Sequence, residues 1–524
     1  MRYDVKIHKD KPFIKTIEVG EGIKRSISCK SSVKIKFYND DGSVSIVKRY
    51  GYITADKVTE DIRTEKDIIL DGCYVKDLVL SGLNITTLFS SQYTFFDGTI
   101  DFSEAAFNKE ANFAYATFSE EVDFNRASFN EDEYFSCVTF SKKADFSQVN
   151  FSANAYFAFA KFNGEACFYQ AKFGEETSFF GSIFSEQVSF GATKFSEEMN
   201  FAKVTFSKET NFMSTTFRGK ADFSSAIFNG KIDLIFAVFS KQANFVFTTF
   251  SERADFGGAT FSEEIYFNDS SIKEQIIFDS VVFSTRVDMK FNQCHSLVMK
   301  NCSIEKTLDL GSARFNSLCF ENTKNLGQIF IDWERNNIKE AICKYAKEHK
   351  LYHHTVAKQF LMFKENFNRL GQYDDEDSAY VEYKRGRAKS EFFNENGLNK
   401  GFKRIIHKHI VYPFKWFVFD YIGSYATAPL RIFKALCLNI ICFAVIYLLL
   451  GVHIEKLEKG ILGNGILARF LEVLYFSAIT SFTVGYGDIS PERFLVAGLA
   501  CVESFIGVFL MSYFTVAFAR KILR

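Results

Sequence analysis

The chain contains few residues that restrain the backbone, and it lacks several common signatures of catalysis and metal binding. Among 524 residues there are only 4 prolines and 2 tryptophans. The 11 cysteines include no pair with the C-x-x-C spacing that is typical of zinc and redox sites. No phosphate-binding loop and no arrangement of nucleophile and base is evident. We therefore expect neither an enzyme nor a bound cofactor.

Signals for secretion are also missing. Residues 1–11 are charged and include no apolar run, so no signal peptide is evident. The scattered cysteines are then expected to be free thiols in a reducing compartment, which predicts a cytosolic amino-terminal part. The zero net charge conceals a division, because residues 97–291 carry 28 acidic and 17 basic side chains, net −11, and the rest carries +11.

Residues 1–66 form the first segment and are predicted to be a small β region. Short alternating stretches at 35–38 and 45–47 are joined by Asn39, Asp40, Asp41 and Gly42, which predicts a hairpin. A lid on the following segment is the simplest role for this region.

Phenylalanine, in contrast, is abundant, with 64 copies. From Ile68 an apolar residue recurs every five positions, and phenylalanine then recurs in alternating steps of five and six. Two interleaved ladders result, one from Phe102 to Phe278 and the other from Phe107 to Phe283, with one aliphatic member in each. This spacing fits neither a helix of period 3.6 nor a strand of period 2, and it indicates a repeat.

The short motifs within the repeat carry a family resemblance. A small residue, then Asp or Asn, then phenylalanine occurs at 111–113, 144–146, 221–223 and 254–256. This pattern resembles the pentapeptide-repeat family, and the resemblance implies a right-handed quadrilateral β-helix, which we place at residues 67–325. The alternation of five and six lengthens one coil from 20 to 22 residues, so corners on two sides should be looser. Eight coils would span roughly 40 Å over residues 102–283.

The phenylalanines of the repeat are expected to be structural, because stacked coils bury together what one coil cannot bury alone. An alternative is that the acidic rod imitates nucleic acid, as some pentapeptide-repeat proteins are thought to do. Lysine and arginine are interspersed along it, so we expect neither nucleic acid nor a nucleic-acid enzyme as its partner.

Residues 334–399 are predicted to be a helical connector. Apolar residues recur at helical intervals to Leu370, Gly371 is a helix stop, and Asp374 opens a second helix of an antiparallel pair. A rigid connector is favoured over a partner-binding surface. Four histidines could suggest a metal or pH site, but no spacing brings them together and solvated side chains are expected: His353, His354, His407 and His409.

The next segment, 400–429, is predicted to lie at a membrane surface. Basic residues such as Lys403 and Arg404 come first, and the aromatic residues Trp416 and Phe417 follow. Cations near anionic headgroups and aromatic rings at the interface are typical of interfacial helices. Membrane lipid is therefore an expected partner.

Two apolar runs, at 430–452 and 494–518, are long enough to cross about 30 Å of hydrocarbon. Arg431 and Lys434 precede the first run, and Arg520 follows the second. The positive-inside rule then predicts a multi-pass plasma-membrane protein with both termini in the cytoplasm. A soluble hairpin of buried helices is the alternative.

Between the runs, Arg469–Ser481 has helical spacing but is too short to span, and a glycine-containing motif follows it. The motif consists of Thr483, Val484, Gly485, Tyr486, Gly487 and Asp488. Its two glycines permit the left-handed backbone that aims successive carbonyls at one axis. A simple glycine turn is the alternative interpretation. In context, residues 430–524 resemble the pore domain of two-transmembrane potassium channels.

The resemblance implies roles for individual residues. K⁺ would bind the carbonyls of Thr483, Val484, Gly485 and Tyr486 and the Thr483 hydroxyl, and Asp488 would lie at the outer mouth. Tetramerisation is expected because one such segment cannot enclose an ion. Two positions depart from the family pattern, Phe482 in place of a second threonine and Ile479 in place of a polar residue.

Two further residues of the second run are candidates. Gly507 lies where such channels carry a hinge glycine, although a packing glycine is equally consistent with the sequence. Glu503 is the only ionisable residue within the apolar run, so we expect it to face the pore helix or cavity, in protonated form. A lipid-facing acid without a role is the alternative.

Taken together, the resemblances imply a homotetrameric K⁺-selective channel whose cytosolic repeat domain regulates or scaffolds the pore, through a protein partner or ligand that the residues do not identify. The alternative is a membrane-anchored pentapeptide-repeat scaffold in which the pore is secondary. No helix with arginine at every third position precedes the first run, so no voltage sensor is expected.

Overall fold

The structure is a computed structural model of the chain. It describes residues 2–18, 24–39, 41–311, 313–393, 395, 402–450, 465–486 and 493–523. The chain divides into two compact units, Met1–Lys350 and Leu351–Arg524.

The first unit begins with a small β region. Its elements are β1 (Arg2–His8), β2 (Phe13–Glu18), β3 (Lys24–Cys29), β4 (Ser32–Tyr38), β5 (Val44–Tyr52) and α1 (Ala55–Arg63). β4 pairs antiparallel with β1 and with β5, so the hairpin predicted from the sequence is present. α1 was not expected within this region, and it starts where the Thr54 hydroxyl accepts a hydrogen bond from the Lys57 amide.

The amino-terminal β region is continuous with the repeat that follows. β5 pairs in parallel with the strand Cys73–Val79, with Gly51 opposite Cys73. Cys29 and Cys73 are buried with Phe13 and Ile27 in one apolar cluster, and their sulfur atoms lie 3.6 Å apart. The cluster therefore packs β2 and β3 against the first coil of the repeat.

The repeat is a β-solenoid of about 13 turns over residues 51–330. Its short parallel strands recur every 22 residues on four faces, so that Val122 pairs with Ala144 and Ala144 with Ala166. The first face contains Ile68–Ile69, Phe89–Ser90, Ala111–Asn112, Glu133–Tyr134, Ala155–Tyr156, Thr177–Ser178, Met199–Asn200, Ala221–Asp222, Ala243–Asn244, Ile265–Tyr266, Val287–Asp288, Thr307–Asp309 and Gln328–Phe330.

The second face precedes the first in each coil, and its strands form a nine-stranded and a three-stranded sheet. They are Asn84–Ile85, Ala106–Phe107, Ser128–Phe129, Asn150–Phe151, Lys172–Phe173, Lys194–Phe195, Thr216–Phe217, Val238–Phe239, Thr260–Phe261, Val282–Phe283, Ser303–Ile304 and Lys324–Asn325.

The third and fourth faces belong to one large sheet, because longer strands at its two ends join them. The third face contains Thr117–Phe118, Thr139–Phe140, Lys161–Phe162, Ile183–Phe184, Thr205–Phe206, Ile227–Phe228, Thr249–Phe250 and Ser271–Ile272. The fourth contains Val122–Asp123, Ala144–Asp145, Ala166–Cys167, Val188–Ser189, Thr210–Asn211, Ile232–Asp233, Ala254–Asp255 and Ile276–Asp279. The joining strands are Cys73–Val79, Phe95–Asp101, Gln293–Lys300 and Phe315–Cys319.

Stacked phenylalanine rings fill the solenoid core. Phe124 and Phe146, one coil apart, have ring centroids 4.7 Å apart and planes inclined by 6°. This distance equals the spacing of hydrogen-bonded strands, so the predicted rise per coil is confirmed. Rings on different faces meet edge to face, as Phe146 and Phe157 do at 5.7 Å and 88°. The rings thereby adopt both favourable aromatic geometries.

Alternate corners of the solenoid differ in conformation, as the steps of five and six predict. In each five-residue step one corner residue has left-handed φ, for example Arg126 at 56°, Gln148 at 57° and Phe159 at 57°. Such residues recur every 11 positions, and most are not glycine. Left-handed φ disfavours a residue with a Cβ, so the repeated backbone pairing must hold these corners in place.

The solenoid extends beyond the predicted boundary at residue 325. Strand pairing continues to Gln328–Phe330. Here Leu318 and Ile329 fill the core in place of phenylalanine, so the aromatic signal ends before the backbone ladder does. α2 (Ile338–Glu348) then packs against the strand Phe315–Cys319.

The second unit consists of helices. They are α3 (His353–Leu370), α4 (Tyr373–Phe393), α5 (Phe402–Ile406), α6 (Tyr412–Lys415), α7 (Pro429–Leu449), α8 (Ile466–Ser481) and α9 (Phe494–Ile522). π-helical stretches His407–Val411 and Trp416–Ile422 and a 3₁₀ turn, Ser424–Ala426, link α5, α6 and α7. α7 and α9 are long and apolar enough to cross a membrane.

The connector contains the predicted helix pair. α3 and α4 pack against each other, and α3 ends at Gly371, whose φ is 70° as a left-handed C-cap requires. The helical spacing that ends at Leu370 covers two helices, because the chain breaks between α2 and α3 at Lys350, where φ is 53°.

Candidate ion-conducting site

The first residues of the predicted filter follow directly from the end of α8. The amides of Thr483 and Val484 donate to the carbonyls of Thr480 and Ile479, at 3.1 and 3.0 Å, so the last turn of α8 holds the start of the loop. Ile479, one of the two departures from the family pattern, is buried and contributes through its backbone. Phe482, the other, is the C-cap residue of α8 and is exposed in the single chain.

Two residues of the loop have an unusual backbone conformation. Thr483 and Gly485 have left-handed φ values of 55° and 47°. A β-branched residue rarely adopts this conformation, so Thr483 marks a strained position. Val484 and Tyr486 are 47% and 70% exposed in the single chain. Gly487 and Asp488, also predicted for the site, lie outside the described residues.

α8 packs between the two long helices. Ala444 and Tyr447 of α7, Val473 and Phe476 of α8, and Val496 of α9 form one buried cluster. The predicted pore helix began at Arg469, and the structure starts it three residues earlier, at Ile466. Apolar contacts therefore fix the position of α8 relative to both α7 and α9.

The structure places Glu503 against α8, fully buried. The Tyr447 hydroxyl lies 2.7 Å from Glu503 Oε2, and the Ser481 hydroxyl lies 2.9 Å from Oε1. The Ser477 hydroxyl also contacts Oε1. One acidic side chain of α9 thus connects both α7 and α8.

Gly507, one turn further along α9, lies against the end of α8. A Cβ at this position would collide with the carbonyl group of Ser481, so the close approach requires glycine. α9 is continuous from Phe494 to Ile522 through this point. In this conformation Gly507 therefore has the packing role that the sequence left as an alternative to a hinge.

The carboxyl-terminal end of α9 forms a charged cluster with α4. Arg520 Nη2 lies 2.7 Å from Asp377 Oδ1, and its guanidinium lies 4.4 Å from the ring centre of Tyr380. Lys521 Nζ lies 2.8 Å from Asp374 Oδ1. Because Asp377 is buried, this ion pair is shielded from solvent and fixes the end of α9 on the connector.

α4 also contacts the segment before the first span. The Arg385 guanidinium binds the buried Asp420 carboxylate with two nitrogens, Nε at 3.0 Å and Nη2 at 2.7 Å. Nearby, the aromatic residues Trp416, Phe417 and Tyr421 are exposed, as the interfacial prediction requires. The segment is thus attached to α4 on one side and presents aromatic rings on the other.

Two of the connector histidines contact an acidic side chain while remaining partly exposed. The ring nitrogens of His353 and His354 lie 2.7 and 3.3 Å from the two carboxyl oxygens of Glu395. Burial would raise the pKa of Glu395, but hydrogen bonds from the backbone amides of His353 and His354 and from the His353 ring help to lower it to about 2. Within the described residues, no group of three or more His, Cys, Asp or Glu could hold a metal ion.

Residues 435–524 match the family model described as ion channel. These residues form an ion-channel domain. The domain contains most of α7, all of α8 and α9, and the loop that begins at Thr483. The four-sided solenoid is in turn consistent with a pentapeptide-repeat protein fused to the channel domain. Neither the curated proteins nor the solved structures yielded a match.

Several contacts within the second unit were missed from the sequence. Ser477 and Ser481 are four residues apart and so share one face of α8, a signal that could have paired them with Glu503. Tyr447 gave no such signal. The pairs Arg385–Asp420 and Asp377–Arg520 join residues 35 and more positions apart, which local periodicity does not reveal.

Proposed function

We propose that this ion channel is selective for K⁺. The observation that carries the proposal is the sequence from Thr483 to Asp488, which follows a pore helix between two apolar helices in a domain that matches ion channels. Backbone carbonyls in such a loop replace the water around the ion. The left-handed φ values of Thr483 and Gly485 support this backbone arrangement.

The functional unit that we propose is a homotetramer. One filter segment lines only part of an ion path, and a closed ring of identical segments completes it. The exposure of Val484 and Tyr486 in the single chain supports this assembly, because neighbouring copies would cover them. Lipid would cover the outward faces of α7 and α9.

We further propose a plasma-membrane location with both termini in the cytoplasm. Arg431 and Lys434 lie at the start of α7, and Arg520 and Lys521 lie at the end of α9. Basic residues flank the cytoplasmic side of membrane spans. This orientation directs the loop after α8 to the outside and the solenoid to the cytosol.

Substitution of one glycine tests the filter. Gly485→Asp should abolish K⁺ flux into proteoliposomes, because a side chain at left-handed φ disrupts the carbonyl arrangement and adds a charge. Gly465→Asp is the matched control, since it precedes α8, has open space at its Cβ and has ordinary φ. K⁺ flux that persists in assembled Gly485→Asp protein would contradict the proposal.

The solenoid, we propose, regulates the channel domain by receiving a protein partner or ligand. Exposed aromatic rings on its corners support a binding role, for example Tyr93 and Tyr115, which stack at 4.6 Å, and Phe236 and Phe247. Channels that lack residues 1–350 should therefore show a changed open probability in planar bilayers. An unchanged open probability would contradict regulation.

The same aromatic rings favour a second candidate function. The solenoid could be the principal binding module, anchored by a pore of secondary importance. Residues 1–350 expressed alone would then retain the cellular phenotype of the full chain, whereas a channel requires residues 435–524 as well. We propose no catalytic activity and no cofactor apart from K⁺ as the permeant ion.

A further inference from the structure

If the Glu503 side chain were a carboxylate, the hydroxyl groups around it would have one hydrogen too few for the oxygen atoms that they contact. The Ser477 hydroxyl lies 2.8 Å from the Ile440 carbonyl and also contacts Glu503 Oε1. A serine hydroxyl has one hydrogen, so it can donate to only one of these two oxygens. With a carboxylate at position 503, one of the two contacts would join two oxygens without a hydrogen between them.

A neutral carboxyl group removes this conflict. Its own hydrogen is donated from Oε1 to Ser477, and Ser477 then donates to Ile440. Ser481 still donates to Oε1, and Tyr447 donates to Oε2. No basic side chain pairs with Glu503 in the part of the chain that the structure describes. A buried charge without such a partner is costly in a membrane, so the environment also favours the neutral form.

The network reaches the first residues of the filter loop. Ser481 is the last residue of α8 and lies two positions before Thr483. Its hydroxyl contacts Glu503, and its carbonyl group lies against Gly507. Asn439 of α7 contacts the same hydroxyl at 3.3 Å. The end of α8 is thus held at two points by α9 and at one by α7.

We propose that Glu503 is a positioning residue of the filter: its neutral carboxyl group fixes the end of the pore helix, and thereby the carbonyl positions on which ion selectivity depends. The proposal rests on the proposed function, because it assigns to Glu503 a part in that K⁺ selectivity. Binding sites tolerate displacements of only about 0.5 Å, so a small shift of Ser481 would affect the loop.

Two substitutions separate this role from simple packing. Glu503→Gln keeps the shape and neutrality, and its amide can donate to the serines and accept from Tyr447. Glu503→Leu keeps the approximate size but leaves three hydroxyls without their partner. In assembled channels, Glu503→Gln should keep the K⁺/Na⁺ permeability ratio within about twofold of wild type, and Glu503→Leu should lower it at least about tenfold. Glu472→Leu, which removes a half-exposed acid from α8, is the matched control.

A second measurement does not depend on K⁺ selectivity. The amides of Thr483 and Val484 are bonded to the last turn of α8, so their hydrogen exchange reports on its position. Exchange should be faster in Glu503→Leu than in wild type, and unchanged in Glu503→Gln and Glu472→Leu. If wild type does not select K⁺, the proposed function fails while this measurement still tests Glu503.

Three results would overturn the proposal. The first is that Glu503→Leu keeps both the wild-type permeability ratio and the wild-type hydrogen exchange. The second is that Glu503→Gln lowers the permeability ratio as much as Glu503→Leu does, which would mean that the charge is needed. If Glu503→Leu does not assemble, Ser477→Ala and Tyr447→Phe replace it, since each removes one hydroxyl. The third overturning result is that both of these variants keep the wild-type permeability ratio and the wild-type hydrogen exchange.

Discussion

At the scale of single residues, two buried glutamates have opposite environments. Three hydroxyl groups surround the Glu503 carboxyl group. Glu133, in the solenoid core, has no hydrogen-bond partner of normal geometry at either oxygen. Burial raises the pKa of Glu133 well above its usual range, the Ala111 amide opposes the shift only in part, and the nearby acids Glu110 and Asp132 add to it. Glu503 stabilises its surroundings, and Glu133 destabilises its coil.

We predict that Glu133→Met stabilises the solenoid by about 1–3 kcal/mol at neutral pH, because it removes an unsatisfied buried carboxyl group. Methionine fits, since Met199 occupies the equivalent position three coils later. Thermal unfolding of the purified protein measures the effect. Glu131→Met, at a neighbouring exposed position, is the control and should change stability little.

The same residue predicts a pH dependence. The folded chain keeps the Glu133 proton to a higher pH than the unfolded chain, whose pKa is near 4.5. The free energy of unfolding should therefore fall as pH rises above about 4.5, and Glu133→Met should remove this contribution. An identical pH profile in both proteins would contradict the assignment.

The sequence identifies some of these residues better than others. Glu503 stands out because a charged residue within an apolar run is rare. Its partners Ser477 and Ser481 stand out less, because hydroxyl groups are common in helices. Their spacing of four places them on one face, but only the fold shows that this face meets Glu503. Glu133 stands where most coils have a small or aliphatic residue, so the repeat itself contained the signal, which we missed.

At the scale of elements, the solenoid was the most predictable part. A 22-residue period in backbone pairing produces a 22-residue period in sequence, because each coil fills the same core position. Strand pairing runs to residue 330, beyond the predicted boundary at 325, because backbone pairing outlasts the aromatic residues. The attachment of α4 to Asp420 and Arg520 could not be predicted, since ion pairs between distant segments leave no periodic signal.

Two phenylalanines, one in the core and one at a corner, test the assignment of the core. Phe146→Ala should destabilise the solenoid by about 3–5 kcal/mol, because it opens a cavity between rings stacked at 4.7 and 4.9 Å. Phe159→Ala, at a corner position that is 54% exposed, is the matched control and should have little effect. Similar losses from both substitutions in thermal unfolding would contradict the assignment of core and corner.

At the scale of the whole molecule, the chain joins two units with different surfaces. The solenoid buries its own aromatic ladder, whereas α7 and α9 expose apolar side chains and are long enough to cross a membrane. The zero net charge reflects the same division, with excess acid on the solenoid and excess base in the rest. The charge distribution and the two apolar runs predicted this division, and the filter motif predicted the homotetramer that we propose.

The most direct test of the central claim is the reversal potential of the purified full-length channel in a planar bilayer, with K⁺ on one side and Na⁺ on the other. A K⁺-selective filter at Thr483–Asp488 predicts a reversal potential that is strongly displaced toward the value for K⁺, and no measurable current in Gly485→Asp. A reversal potential near zero, or a current of unchanged selectivity in Gly485→Asp, would contradict it.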